Sequence, residues 1–239
     1  MGIISIPGFF EPFSSMLHLL VAGVTLIVGA RLVRSGRSPA ERWALGAFAL
    51  AATILFAVSG TYHLLDADGA GRAVLQRIDH AAIFLMIAGT FTAIHGVAFR
   101  DGWRRWFVTL VWTLAITALT LKTIFFENMS ERAGLALYLG LGWVGVLSAA
   151  VLWKRRGWRG VRWLFGGGLA YSIGAAYDFA AGPTWIEGVL GAHEVFHITV
   201  VIGAWMHFEC VRSLMVGDAA RPATVRRTVV PFENAAVGA

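Results

Sequence analysis

Sulfur and charge are both scarce in this chain. Its 239 residues hold one cysteine, Cys210, so no disulfide can form within it and no cysteine-based metal site can be assembled. Lysine occurs only at Lys122 and Lys154, and its absence from the last apolar run leaves a retinal Schiff base nowhere to form there. Charged residues make up 14% of the chain against 57% hydrophobic, with a mean hydropathy of +0.68. That balance excludes an ordinary soluble domain and describes a chain that lives in a bilayer. The opening run MGIISIPGFFEPF lacks a basic leader and a small-residue cleavage site, so no removable signal peptide is expected. The glycine runs GLGWVG and FGGGLA lack the strand and soluble helix terminus of a phosphate loop, and are expected to let helices pack closely.

What the chain does have is length in apolar segments. A transmembrane helix needs about 20 mostly apolar residues, and seven stretches qualify: 14–33, 44–66, 74–98, 106–125, 132–153, 161–180 and 190–212. The expected fold is an all-α integral membrane bundle of seven transmembrane helices, with the membrane domain over residues 1–212 and a flexible C-terminal tail over 213–239. No second domain and no internal repeat is visible.

Seven spans make successive loops alternate sides, and the basic residues sort accordingly. Sixteen of the twenty, from Arg31, Arg34, Arg37 and Arg42 through Arg100 to Arg105, Lys154 to Arg162, and Arg212 to Arg227, fall on one side; the other has Arg72, Arg77, Lys122 and Arg132. The positive-inside rule makes the first side cytoplasmic, with the N-terminus outside and the C-terminus inside. Trp43, Trp103, Trp106, Trp153, Trp158 and Trp163 flank the basic loops as an interfacial belt would. The pI near 10.2 then reflects topology and anionic lipid, and no nucleic acid partner is expected.

Ionisable groups inside such spans mark function by default. His63 lies near the outer end of the second span, Asp79 near the outer start of the third, and His193 and His197 near the outer start of the seventh. At about 1.5 Å of rise per residue, all four fall in one shallow layer. Histidines four apart share a helix face, so His193 and His197 can grip one ion together, with His63 as the third ligand. An HxxxH pair alone often reflects only a cross-helix hydrogen bond; it is the depth-matched His63 and Asp79 that point to a metal. Three imidazoles with an open fourth position are the pattern of catalytic zinc. Asp79 can then act as general base or orient a ligand histidine, and Ser59, one turn before His63, can bond to the same water or to an oxyanion.

Other polar groups read more plainly. His18 is expected to pack or to support a ligand, and His80 points about 100° from Asp79 toward the interface. His95 and His207 are expected at the inner interface, while Asp178, Glu194 and Glu209 are expected to serve helix ends. Haem ligation would need histidines on facing helices, whereas HEVFH puts two on one face. A pore or transporter finds little polar lining at mid-membrane.

EPFSSMLH before the first span, SGTYH with Ser59 and His63, Asp79 in RIDHAAIFLMIAGTFT, and HEVFH in the last span together resemble the progestin and adiponectin receptor family, and most closely its bacterial hemolysin III branch. The resemblance covers nearly the whole chain, and it extends to the alkaline ceramidases as a wider group. It implies zinc ligands at His63, His193 and His197, with Asp79 and Ser59 as the polar pair beside them. The activity it implies is zinc-dependent hydrolysis of a membrane lipid amide, ceramide-like, in a bacterial inner membrane. The alternative is a lipid-sensing, receptor-like protein with a structural zinc and no turnover. The adiponectin receptors are N-in, whereas the arginine distribution here argues for N-out. The oligomeric state is not legible.

Overall fold

Helix ends in this chain are written by a few polar residues at the edges of apolar runs. Ser38 caps the second helix by accepting from the Glu41 amide at 3.1 Å, with Pro39 supplying the fixed φ of a first turn. Ser130 caps the fifth in the same way, through the Ala133 amide at 3.2 Å. In the computed structural model, which describes residues 4–219, the elements are α1 Pro12–Arg34, α2 Pro39–Leu64, α3 Ala70–Ala98, α4 Gly102–Ile124, α5 Glu131–Trp143, α6 Gly145–Arg156, α7 Trp158–Phe179 and α8 Ala192–Ala219. Helices α5 and α6 meet at Val144 and together form one span, so seven spans result, as the sequence predicts.

Six of the seven are long and apolar enough by composition to cross a membrane; α7, which carries Arg159, Arg162 and Asp178, is the exception. Most helices begin earlier than the apolar runs suggest, because polar residues such as Glu41, Arg72 and Arg104 join their first turns. The last helix runs on to Ala219, beyond the expected boundary at 212, and the remainder of the expected tail lies outside the described residues. Leu20, Leu26, Ile27, Leu50, Ile116 and Ile173 point outward, as side chains facing acyl chains must.

The bundle has two chemically distinct ends. At one, the backbone entering α1 hydrogen-bonds the end of α2, with the Phe10 amide donating to Leu64 O at 3.2 Å and the Glu11 amide to His63 O at 3.0 Å. At the other, Arg37 donates to the Met215 carbonyl and Arg155 bonds Asp101 at 2.9 Å. The arginines gather at this second end. Between the ends, α1 packs on α2, α2 on α3 and α7 on α8.

Close approach of α7 to α8 depends on glycine. A Cβ at Gly166 would stand 2.7 Å from Met206 Cε, one at Gly167 would enter the His207 ring, and one at Gly174 would collide with the Thr199 hydroxyl. In GLGWVG only Gly145 has this role, against the Phe91 ring. His95 and His207, expected at the inner interface, are instead buried: His95 bonds Ser148 at 2.7 Å and stacks on Phe107, and His207 reaches Leu164 O at 3.3 Å. In each the bonded atom is Nε2, met by a neighbouring helix, while the Nδ1 of both has no partner among the described residues. Overpacking costs about 1–3 kcal/mol, so Gly174→Val is expected to lower the Tm in detergent, while Gly168→Ala, which meets nothing within 4 Å, leaves it unchanged; thermal unfolding followed by fluorescence reads both.

Candidate metal centre

The three predicted histidines meet. His63 from the last turn of α2 and His193 and His197 from the first turns of α8 place one ligand atom each within 4.8 Å of one another. His193 Nε2 and His197 Nε2 stand 3.0 Å apart, and the His63 ring lies 4.6 Å from His197 and 5.3 Å from His193 between centroids. Two nitrogens on a tetrahedral ion at 2.0–2.1 Å would stand about 3.3 Å apart, so little movement separates this cluster from a ligand set. His63 and His197 are 2% and 3% exposed.

Each ring is also held from behind. The Nδ1 of His63 pairs with the Glu11 carboxylate, leaving Nε2 as the nitrogen it offers inward. The Nδ1 of His193 faces Asp178 Oδ2 at 3.3 Å, and the Nδ1 of His197 faces the His18 ring at 2.9 Å. Outer partners of this kind fix the tautomer and ring orientation of metal-binding histidines. The His18 ring packs edge-on against His197. Asp178 ends α7 as expected but does more, since it reaches across to α8 and holds His193.

Glu11 is the residue that sequence reasoning missed. It occupies the N-cap position of α1 yet makes no capping bond, because its carboxylate is taken by His63 and by Arg72 of α3. Burial pushes this carboxyl up, but His63 and Arg72 outweigh it and hold the group below its ordinary value, so it is a carboxylate. Arg72 is itself fixed, donating to Leu65 O and lying 4.6 Å over the Tyr62 ring. The available signal was the lone acidic residue in GFFEPF, next to an apolar span. Glu194, expected to serve the start of α8, accepts from the Gly191 amide at 3.0 Å and from Ser14 at 3.3 Å, tying α8 to α1.

Asp79 and Ser59 line the same cavity as the histidines. His80, next to Asp79, turns its Nδ1 to Gln76 O at 2.8 Å and its ring edge to Phe126. The cavity has a volume of about 690 Å³ and a mostly apolar lining that includes Leu55, Ile83, Ile87, Leu139 and Val200. It is lined by both His193 and His207 of α8, which at 1.5 Å per residue lie about 21 Å apart along the helix axis. The cluster therefore sits at one end of a long apolar slot.

A family model described as "Haemolysin-III related" matches residues 10–208, a stretch that holds every residue of this centre. The chain belongs to that family. It is 33% identical to "Hemolysin-3" of Bacillus cereus over 136 residues, covering 56% of this chain and 58% of that protein. It is 29% identical to the "Hemolysin-3 homolog" of Bacillus subtilis (strain 168) over 138 residues, 58% of this chain and 62% of the relative. The matches thus span about three fifths of the length of these two bacterial relatives. A longer match, 29% identical over 189 residues, covers 73% of this chain and 82% of the "Heptahelical transmembrane protein ADIPOR2" of Oryza sativa subsp. japonica. The hemolysin III and adiponectin-receptor resemblance read from the motifs is borne out, and the protein is a multi-pass membrane protein.

Removing an outer partner of a metal-binding histidine typically costs 10–100-fold in affinity. Glu11→Gln and Asp178→Asn are each expected to weaken metal binding by about that factor with the helical content intact, measured by chelator competition on purified protein.

Proposed function

We propose that this chain is a zinc-dependent integral membrane hydrolase acting on a ceramide-like lipid amide. The observation that carries the reading is the joining of three kinds of group in one cavity: a three-imidazole cluster, the Asp79 carboxyl and Ser59 hydroxyl in the same lining, and an apolar slot about the length of an acyl chain. Imidazole donors suit zinc, copper, iron or nickel, and a set of three from the protein leaves a position open, as catalytic zinc sites do. The outward ties of His63 and His193 to carboxylates fit the same group. Zinc held by His63, His193 and His197 would supply a Lewis acid for the amide carbonyl and lower the pKa of a nearby water to about 7.

The residues of the chain do the rest. The apolar walls hold the acyl chain and exclude bulk water, which strengthens polar interactions at the closed end. Asp79 accepts a proton from water as its oxygen bonds to the carbonyl carbon, and Ser59 orients the Asp79 carboxyl. The carbon–nitrogen bond then breaks and Asp79 returns the proton to the departing nitrogen, giving a fatty acid and an amine. No oxidant or reductant is needed. The motif resemblance to the alkaline ceramidases supports an amide as the bond cut. The names of the Bacillus relatives fit as well, because altered lipid composition can lyse a cell with no pore. The arginine-rich end supports a cytoplasmic assignment for that face in a bacterial inner membrane, putting the histidine layer toward the outer leaflet.

General acid–base catalysis contributes about 10²–10⁴-fold. Asp79→Asn is therefore expected to retain its metal and lose fatty acid release from acyl-labelled ceramide by about that factor. Unchanged release would remove Asp79 from the chemistry. Wild-type protein that binds the labelled lipid and releases nothing would favour the sensor reading instead.

A further inference from the structure

Of twenty basic residues only two are lysines, and Lys122 is the one turned inward. It lies in the last turn of α4, is 7% exposed, and lines the cavity that holds the histidine cluster. A lysine that only anchors a helix end carries its ammonium out to interfacial water. Here the Nζ sits 4.7 Å from the centroid of the Phe126 ring, and a Cβ at Gly134 of α5 would stand 3.4 Å from it. Among the described residues no carboxylate forms an ion pair with it: Glu127 is engaged by Arg77 at 2.8 Å, and Glu127 and Glu131 act on Lys122 only from farther off.

The surroundings place this cation beside the reacting end of the slot. Phe126, which carries the Nζ on its face, also meets the His80 ring at 5.3 Å, and His80 directly follows Asp79. Tyr138 closes the same wall, its ring 6.4 Å from His80 and its buried hydroxyl without a partner among the described residues. The buried His207 lines the slot about 21 Å along α8 from His193. A lipid amide lying with its acyl chain toward His207 and its carbonyl at the histidines leaves its head group on the Lys122 side.

We propose that Lys122 is the specificity determinant of this site and selects lipid amides whose amine-side head group carries a negative charge, a carboxylate or a phosphate ester. The inference rests on the hydrolase reading for the substrate's orientation. The ammonium gives the charged head group a charge-assisted hydrogen bond in place of water. A neutral head group leaves that cation unpaired in a mostly apolar cavity, which is how a buried polar site rejects a ligand lacking its partner.

The test uses the full-length protein in nanodiscs and two substrates with one acyl chain and one amide, N-palmitoylglycine and N-palmitoylethanolamine, with ceramide phosphate against ceramide as the phosphate arm. Wild type is expected to favour the charged member of each pair in kcat/KM by about tenfold, a modest value for a partly buried charge pair. Lys122→Gln is expected to lose that preference, and Lys122→Arg to keep most of it, with equal metal content throughout. The same preference in Lys122→Gln as in wild type would overturn the proposal. Thermal stabilisation by each lipid is read in parallel and does not require turnover, so a failed hydrolase reading leaves this arm intact. There N-palmitoylglycine is expected to raise the Tm more than N-palmitoylethanolamine in wild type but not in Lys122→Gln, and equal shifts in wild type would overturn the proposal. Inorganic phosphate alone is expected to give no Lys122-dependent shift; one as large as the lipid's would overturn a lipid head group as the occupant.

Discussion

Everything at the histidine end of this bundle depends on the outer nitrogen of each imidazole being occupied. His63 is held by Glu11, His193 by Asp178 and His197 by His18, and those three partners come from the edge of α1, the end of α7 and the body of α1. Each tie does two jobs: it satisfies a polar atom in a region without water, and it leaves the second nitrogen free to turn inward. The ties also draw α1, α2, α7 and α8 together at one level. Arg72 adds α3 to the same ring of contacts by gripping Glu11.

The rest of the bundle can be read as support for that level. Glycines 166, 167 and 174 let α7 lie close on α8, which brings Asp178 within reach of His193. Glu194 secures the start of α8 to Ser14, so the helix bearing two of the three histidines is pinned on both sides. The slot then runs down from this anchored end between α3, α5, α6, α7 and α8, with a mostly apolar lining. Polar anchoring at one end and an apolar channel beside it are the two parts of this cavity.

Much of this was legible in the chain itself. Seven apolar runs separated by short breaks fixed the spans, and the four-residue spacing of His193 and His197 put them on one face. The position of His63 along α2 and of Asp79 along α3 set their depth. What was not legible comes from side chains that act across helices. Asp178 reads as a helix-end group because its partner lies on the next helix. Glu11 reads as part of a polar lead-in because nothing local shows that its carboxylate turns away from its own helix. His95 and His207 read as interfacial for a related reason: distance along a helix gives depth in the membrane but not burial within the bundle, and Ser148 and the Leu164 carbonyl draw both rings inside. The cavity has no sequence signature, since it is the space that all eight helices together leave unfilled.

The central claim is that His63, His193 and His197 form a metal centre. X-ray absorption at the zinc K edge, on full-length protein purified in lipid, tests it most directly. The expected result is a zinc ion bound to the chain in an imidazole-rich shell with three nitrogens at about 2.0–2.1 Å. A protein that carries no zinc after purification in zinc-containing buffer, or a shell of oxygens without imidazole scattering, would contradict it.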